Sequence, residues 1–249
     1  MTVADKRRLS RRGLYVLPTL FTVGNLFCGY LSVWNSINAS FEWAAGLIFI
    51  AALLDGLDGR VARLTNTASE FGEQYDSLAD VISFGMAPAI LLYFWGLSGE
   101  PDLKRLGFMI SFLFVVCGSM RLARFNIQTH VVDKRYFVGL PIPMAAAVPA
   151  GLVLAQPGAQ LTRLGVSLLL AMTAALSYLM VSTIRYRSFK DLDLKRKRPV
   201  GVLLVIALVM ALVGFRPAFS LVTVSSVFAL SGPATRGFAF VRARFKKPA

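Results

Sequence analysis

Long apolar stretches recur along this chain and constrain its fold more than any other feature. Each is close to the roughly 17–25 residues that a helix needs to cross a bilayer. With 56% hydrophobic and only 16% charged residues, the chain is poorly explained as a soluble globule. The pattern predicts an all-α fold, a polytopic membrane bundle of about eight transmembrane helices. The predicted spans lie near 15–37, 41–63, 75–97, 107–127, 141–157, 164–184, 199–215 and 217–233.

Basic residues are distributed unevenly between the two sides of this predicted bundle. If the N-terminus is cytoplasmic, 23 of the 27 lysines and arginines lie on the cytoplasmic side, as the positive-inside rule requires. We therefore expect both termini to face the cytoplasm. The net charge of +14 is explained by topology and by contact with anionic lipids, so we expect no nucleic-acid partner. The predicted organisation is a basic head (1–13), one membrane domain (14–233) and a basic tail (234–249).

Four carboxylates lie in the second and third predicted spans, where apolar residues surround them. Helical spacing places each pair on one face of its helix. The link at 65–69 is short, polar and rich in turn formers, so the two helices are predicted to run antiparallel. Such a hairpin brings all four carboxylates to a similar depth. They are Asp55, Asp58, Asp76 and Asp80.

A cluster of carboxylates in a low-dielectric environment needs a compensating cation, because the like charges repel one another. Oxygen ligands favour Mg²⁺ or Mn²⁺ over zinc. The only histidine, His130, lies outside the cluster. The sequence therefore predicts a Mg²⁺ or Mn²⁺ site at the four aspartates.

The acids belong to a longer pattern, D-x2-D-G-x2-A-R-x8-G-x3-D-x3-D, which begins at Asp55 and ends at Asp80. This pattern resembles the signature of the CDP-alcohol phosphatidyltransferases, integral membrane enzymes of phospholipid synthesis, and all eight defined positions match. Further segments are similar to the branch of the family that makes phosphatidylserine. These segments are 17–29, 83–88, 121–126 and 137–143.

The resemblance implies a reaction and a role for each acid. The expected reaction transfers a phosphatidyl group from CDP-diacylglycerol to L-serine and releases CMP. Asp55, Asp58 and Asp76 would hold one or two divalent ions at the pyrophosphate. Asp80 would accept the proton of the serine hydroxyl and also share a metal. The resemblance further implies a bacterial inner-membrane protein with its active site facing the cytoplasm, in contact with membrane lipids and forming a homodimer.

Small and basic residues that share helix faces with the acids are candidates for nucleotide or pyrophosphate binding. Gly59 and Gly72 each lie one turn from an acid, where the missing side chain leaves room for a nucleotide against the backbone. Ala62 is small for the same reason, and Arg63 could pair with a phosphate oxygen. Close helix packing is the alternative role for the two glycines.

Polar residues in the first and fourth predicted spans complete the candidate site. Thr22 and Asn25 lie three residues apart and are candidates for nucleotide or pyrophosphate contact, with interhelical hydrogen bonding as an equal alternative. Arg121, Arg124 and Asn126 end the fourth span and are predicted to bind the acceptor or a lipid phosphate. Topology and contact with lipid headgroups are the alternative for the two arginines.

Three other functions compete with this interpretation. The first keeps the chemistry but changes the acceptor to glycerol 3-phosphate, inositol phosphate or another amino alcohol. The second is a membrane cation or proton transporter with the acids on its ion path. The third is a non-catalytic lipid-binding scaffold. The combination of the acids with Arg63 and the two glycines disfavours transport, because an ion path requires neither their spacing nor a competing cation.

Overall fold

The computed structural model describes residues 3–65, 67, 69–128, 136–187 and 217–245. These residues form seven helices and one two-stranded ribbon, so the all-α prediction is confirmed apart from two short strands. The strands β1 (Tyr136–Val138) and β2 (Arg185–Arg187) pair antiparallel. The helices are α1 (Val3–Ile37), α2 (Phe41–Leu64), α3 (Glu70–Leu97), α4 (Lys104–Gln128), α5 (Ile142–Ala155), α6 (Arg163–Val181) and α7 (Pro217–Phe245).

Four of the eight predicted membrane spans coincide with a helix that is able to cross a membrane; α1 and α2, at the first two predicted spans, are not among these candidates. By length and composition, α3, α4, α6 and α7 are able to cross a membrane. Helix α5 has only 14 residues, fewer than the roughly 20 that a spanning helix needs. The predicted span at 199–215 and His130 lie outside the described residues. The predicted count of eight spans is therefore not confirmed.

Helix α3 contains two wider, π-helical turns, Val81–Met86 and Tyr93–Leu97. The first begins immediately after the fourth acid of the motif. Pro88 explains its position, because proline has no N–H and its ring crowds the carbonyl four residues earlier. The backbone N–H of Ala87 accordingly donates to Ile82 O, five residues back. Turns of this kind occur frequently at functional sites.

Helix α1 packs along α2 and also contacts α3. Ala44, Ala45 and Ala51 are fully buried on α2, and their small size lets helices approach closely. The Ser32 hydroxyl donates to Ala44 O at 2.8 Å, which adds a polar connection between α1 and α2. Helix α1 thus lies against both helices that carry the acids.

Helix α7 packs against α5, and the β1–β2 ribbon also contacts it through Tyr186. This side chain is 1% exposed, and its hydroxyl donates to Ala229 O at 3.1 Å. Its ring stacks on Phe228, with centroids 5.6 Å apart. A Cβ at Gly232 would lie 2.5 Å from the tyrosine ring, so glycine is required for this approach. Burial raises the pKa of Tyr186 to about 12, and the phenol remains a neutral hydrogen-bond donor.

Candidate metal and active site

A polar turn joins α2 to α3 and folds the two helices back on each other, as the sequence predicts. The Thr65 and Thr67 hydroxyls are 2.7 Å apart, and the Thr67 N–H donates to Ala62 O at 3.0 Å. Ser69 caps α3 by accepting a hydrogen bond from the Gly72 N–H at 3.1 Å. This cap satisfies one of the N–H groups that a helix leaves unpaired at its start.

The hairpin brings the predicted acids together from both helices. Asp55 on α2 and Asp76 and Asp80 on α3 can each offer one carboxylate oxygen, with all three oxygens within 4.8 Å of one another. Asp58 is 4% exposed and lies next to Asp76. Residues separated by 25 positions in sequence thus form one cluster, with Asp58 and Asp80 as its most buried members.

Helix α1 provides a hydrogen-bond donor to one acid on each of the two helices. Thr22 Oγ1 donates to Asp58 Oδ2 at 3.0 Å, and Asn25 Nδ2 donates to Asp80 Oδ1 at 3.3 Å. Both donors are buried. Both contacts are interhelical hydrogen bonds, while a nucleotide or pyrophosphate contact by Thr22 and Asn25 stays a prediction; within the described residues, Asn25 Oδ1 has no hydrogen-bond partner. These bonds orient the carboxylates that they contact.

Arg121 is the only buried lysine or arginine among the residues that the structure describes. The side chain is 7% exposed, its guanidinium lies 5.2 Å from the centroid of the Phe125 ring, and it interacts electrostatically with Asp80. Within the described part of the chain, its Nε atom has no hydrogen-bond partner. A buried N–H without a partner is costly, so this atom is available to a ligand acceptor.

The other two polar residues at the end of α4 already contact the protein. Arg124 Nη1 donates to Val181 O at the end of α6, at 2.8 Å. Asn126 Nδ2 donates to Ser77 Oγ on α3 at 3.0 Å. These bonds hold α4 against α6 and α3, so the three residues predicted as one group differ in their surroundings.

The candidate nucleotide-binding residues lie beside the acids, on the part of the hairpin near the turn. A Cβ at Gly59 would meet only the Arg63 guanidinium, at 4.0 Å, so close helix packing does not explain this glycine. Arg63 itself is exposed, and Ala62 is partly exposed. A Cβ at Gly72 would lie 3.2 Å from Ser69 Oγ, so this glycine also serves the cap of α3.

The cluster has the donor set that a hard divalent cation requires. Every candidate ligand atom is a carboxylate oxygen, which suits Mg²⁺ or Mn²⁺. In the described residues, Asp76 Oδ1 is buried and has no hydrogen-bond partner. Four carboxylates beside one buried guanidinium leave an uncompensated negative charge, which is unfavourable in a low-dielectric environment. The residues present therefore fit the metal that the sequence predicts.

Two contacts near the acids were not predicted from the sequence. Ser83 Oγ donates to Asn25 O at 3.0 Å, and Gly29 lies against Ser83. Spacing could have placed these residues on the same helix faces as the site, although not in contact, because Ser83 follows Asp80 by three residues and Gly29 follows Asn25 by four. Both spacings place the pair on a shared helix face.

The part of the chain that matches known proteins includes the whole candidate site. Residues 15–232 match the family model for CDP-alcohol phosphatidyltransferase. A CDP-diacylglycerol–serine O-phosphatidyltransferase from Helicobacter pylori (strain ATCC 700392 / 26695) is 39% identical over 235 residues, which cover 94% of this chain and 96% of that protein.

Two further relatives come from other organisms. A CDP-diacylglycerol–serine O-phosphatidyltransferase from Bacillus subtilis (strain 168) is 35% identical over 175 residues, covering 70% of this chain and 91% of that protein. An archaetidylserine synthase from Methanothermobacter thermautotrophicus is 40% identical over 172 residues, covering 68% of this chain and 69% of that protein.

Proposed function

The chain belongs to the CDP-alcohol phosphatidyltransferase family, and we propose on this basis that it transfers a phosphatidyl group from CDP-diacylglycerol to L-serine. The products are phosphatidylserine and CMP. The observation that carries this proposal is the match along almost the full length of a relative named for that reaction. The acid cluster supplies the chemistry that the reaction requires.

The four carboxylates would hold Mg²⁺ or Mn²⁺: oxygens of Asp55, Asp76 and Asp80 lie within 4.8 Å of one another, and Asp58 lies next to Asp76. A bound divalent ion neutralises charge on the pyrophosphate of the nucleotide lipid. The unpartnered oxygen of Asp76 supports its assignment as a ligand.

Asp80 is the group that we assign as the general base. Its Oδ1 accepts the hydrogen bond from Asn25, so Oδ2 is the atom assigned to the serine proton. As Oδ2 accepts that proton, the serine oxygen forms a bond to the phosphorus that carries diacylglycerol. The bond from this phosphorus to the CMP oxygen breaks, and CMP leaves. The reaction then needs no covalent enzyme intermediate.

Arg121 is the residue that we assign to the carboxylate of serine. Its Nε lacks a partner within the described residues, and its charge lies beside Asp80, where the serine hydroxyl must react. A guanidinium binds a carboxylate through two parallel hydrogen bonds. Arg124 and Asn126 would act less directly, by holding α4 in place through their contacts with Val181 and Ser77.

The surface beside the turn is proposed to receive the nucleotide. Gly59 and Ala62 leave room close to the backbone of α2, and the exposed Arg63 provides a positive charge for a phosphate oxygen. Gly72 lies across the turn at the start of α3.

We also propose that the protein lies in a bacterial inner membrane, with both termini and the acid cluster facing the cytoplasm, and that it forms a homodimer in contact with membrane lipids. The distribution of 23 of 27 basic residues supports this orientation.

The proposed function is tested by CMP release from purified protein supplied with CDP-diacylglycerol and one acceptor at a time. The acceptors are L-serine, glycerol 3-phosphate and inositol phosphate. We expect release with serine and loss of activity after chelation. Release with another acceptor but not with serine would contradict the acceptor assignment. Release that survives exhaustive chelation would contradict the metal site.

Two substitutions separate binding from chemistry in the same assay. Asp55→Asn should weaken the binding of metal and of CDP-diacylglycerol together. Asp80→Asn should keep CDP-diacylglycerol bound yet reduce kcat by about 10²–10⁴-fold, the usual contribution of a general base. Equal loss of nucleotide-lipid binding in both variants would make metal ligation, and not general-base catalysis, the principal role of Asp80.

A further inference from the structure

Ser83 forms a connection between α3 and α1 at the level of the candidate base. It is 0% exposed, lies in the first π-helical turn of α3 and follows Asp80 by three residues. Its hydroxyl donates to the backbone carbonyl of Asn25 at 3.0 Å. In an α-helix this carbonyl also accepts from the N–H four residues later, so the serine adds a second hydrogen bond to it.

Gly29 makes this close approach possible. A Cβ at this position would lie 2.5 Å from Ser83 Oγ and 2.8 Å from Ser83 Cα. The second distance involves backbone, which no side-chain rotation can relieve. Any larger residue would therefore push α1 away from α3 at this level.

Asn25 is consequently held by α3 at two points. Its backbone carbonyl accepts from Ser83, and its side-chain Nδ2 donates to Asp80. The two α3 residues are only three positions apart, so the backbone contact sets where the carboxamide lies relative to the carboxylate. Gly29 contacts Ser83 one turn further along α1. The two hydrogen bonds and this contact connect Asn25 and Gly29 on α1 with Asp80 and Ser83 on α3.

We propose that Ser83 is a positioning residue for phosphatidyl transfer, acting through Asn25 on the carboxylate that accepts the serine proton. This inference rests on the proposed function and on the assignment of Asp80 as base. We assign Ser83 no contact with either substrate, because the side chain is fully buried between α3 and α1. Its hydrogen bond and the contact with Gly29 hold the Asn25 carboxamide against Asp80, and that carboxamide fixes the orientation of the carboxylate. Small displacements of a reacting group have large effects on rate.

The test compares two buried serines that each donate to a backbone carbonyl of another helix. Ser83→Ala removes the bond to Asn25 O, and Ser32→Ala removes the bond to Ala44 O at 2.8 Å between α1 and α2. For purified full-length protein, we expect Ser83→Ala to lower kcat about tenfold while both KM values change by less than about twofold. Ser32→Ala should leave kcat within about twofold of the unsubstituted protein.

A double variant distinguishes positioning from simple support of the fold. If Ser83 acts through the Asn25 side chain, Ser83→Ala should lower kcat no further once Asn25→Ala is present. Losses that multiply in the double variant, or an unchanged kcat in Ser83→Ala, would overturn the inference. A loss in Ser32→Ala equal to that in Ser83→Ala would also overturn it. Failure of the proposed function is separately visible, because the unsubstituted protein would then release no CMP with serine.

Discussion

Replacement of Thr22 by valine tests whether α1 supports the proposed acidic metal ligands. The Thr22 hydroxyl lies 3.0 Å from Asp58 Oδ2 and 3.2 Å from Pro18 O, but it has only one proton to donate. The carboxylate is both closer and the stronger acceptor. Valine has nearly the shape of threonine without the donor, so Thr22→Val removes the hydrogen bond and leaves little empty space.

The size of the effect follows from the charge and burial of the acceptor. A hydrogen bond to a charged group contributes about 1.5–3 kcal/mol, which corresponds to roughly 10–150-fold in an equilibrium constant. Loss of a partner that orients a metal ligand typically costs about 10–100-fold in metal affinity. The two ranges agree, so the Mg²⁺ or Mn²⁺ concentration for half-maximal activity should rise about 10–100-fold in Thr22→Val. Saturating metal should restore most of kcat.

The assay is serine-dependent CMP release measured over a range of metal concentrations. Thr22→Ser keeps the donor and should retain the original metal requirement. Thr173→Val is a matched control, because Thr173 is also buried but its hydroxyl donates to Leu169 O within its own helix at 2.8 Å. An unchanged metal requirement in Thr22→Val, or an equal increase in Thr173→Val, would refute the reasoning.

Further predictions address the acceptor site, the ribbon and the orientation. Arg121→Ala should raise the KM for serine about tenfold or more, with a smaller change in the KM for CDP-diacylglycerol. Arg124→Ala should chiefly lower thermal stability, because its bond to Val181 O is lost. Equal increases in the serine KM of both variants would contradict this distinction. Tyr186→Phe should destabilise the protein by about 1 kcal/mol in thermal unfolding, since the bond to Ala229 O is lost; an unchanged midpoint would contradict it. Tags at the two termini should both report from the cytoplasm, and opposite sides would require an odd number of spans.

Much of the site could be predicted because its information is local. The spacing of Asp55, Asp58, Asp76 and Asp80 places the acids on helix faces, and the polar link at 65–69 predicts the hairpin that joins them. Neither step requires knowledge of a third helix. The need for a compensating cation could be inferred for the same reason, since the charges that require compensation all lie on one hairpin.

The roles of Arg121 and Arg124 could not be separated in this way. Their spacing of three residues predicts a shared helix face, yet one lies beside Asp80 and the other donates to the end of α6. Which of two neighbouring side chains points toward the acids depends on the rotation of α4 against α3 and α6. That rotation is a property of the packed bundle.

The sequence by itself determined the helical membrane fold, the acidic hairpin and the family, because hydropathy and spacings of three and four residues act within a single helix or turn. Only the tertiary structure decided how the acids are held. The bond from Thr22 to Asp58 joins residues 36 positions apart, and the bond from Ser83 to Asn25 joins residues 58 positions apart. Both depend on how closely α1 can approach its neighbours. Gly29 permits that approach to α3, and local spacing does not encode a distance between two helices.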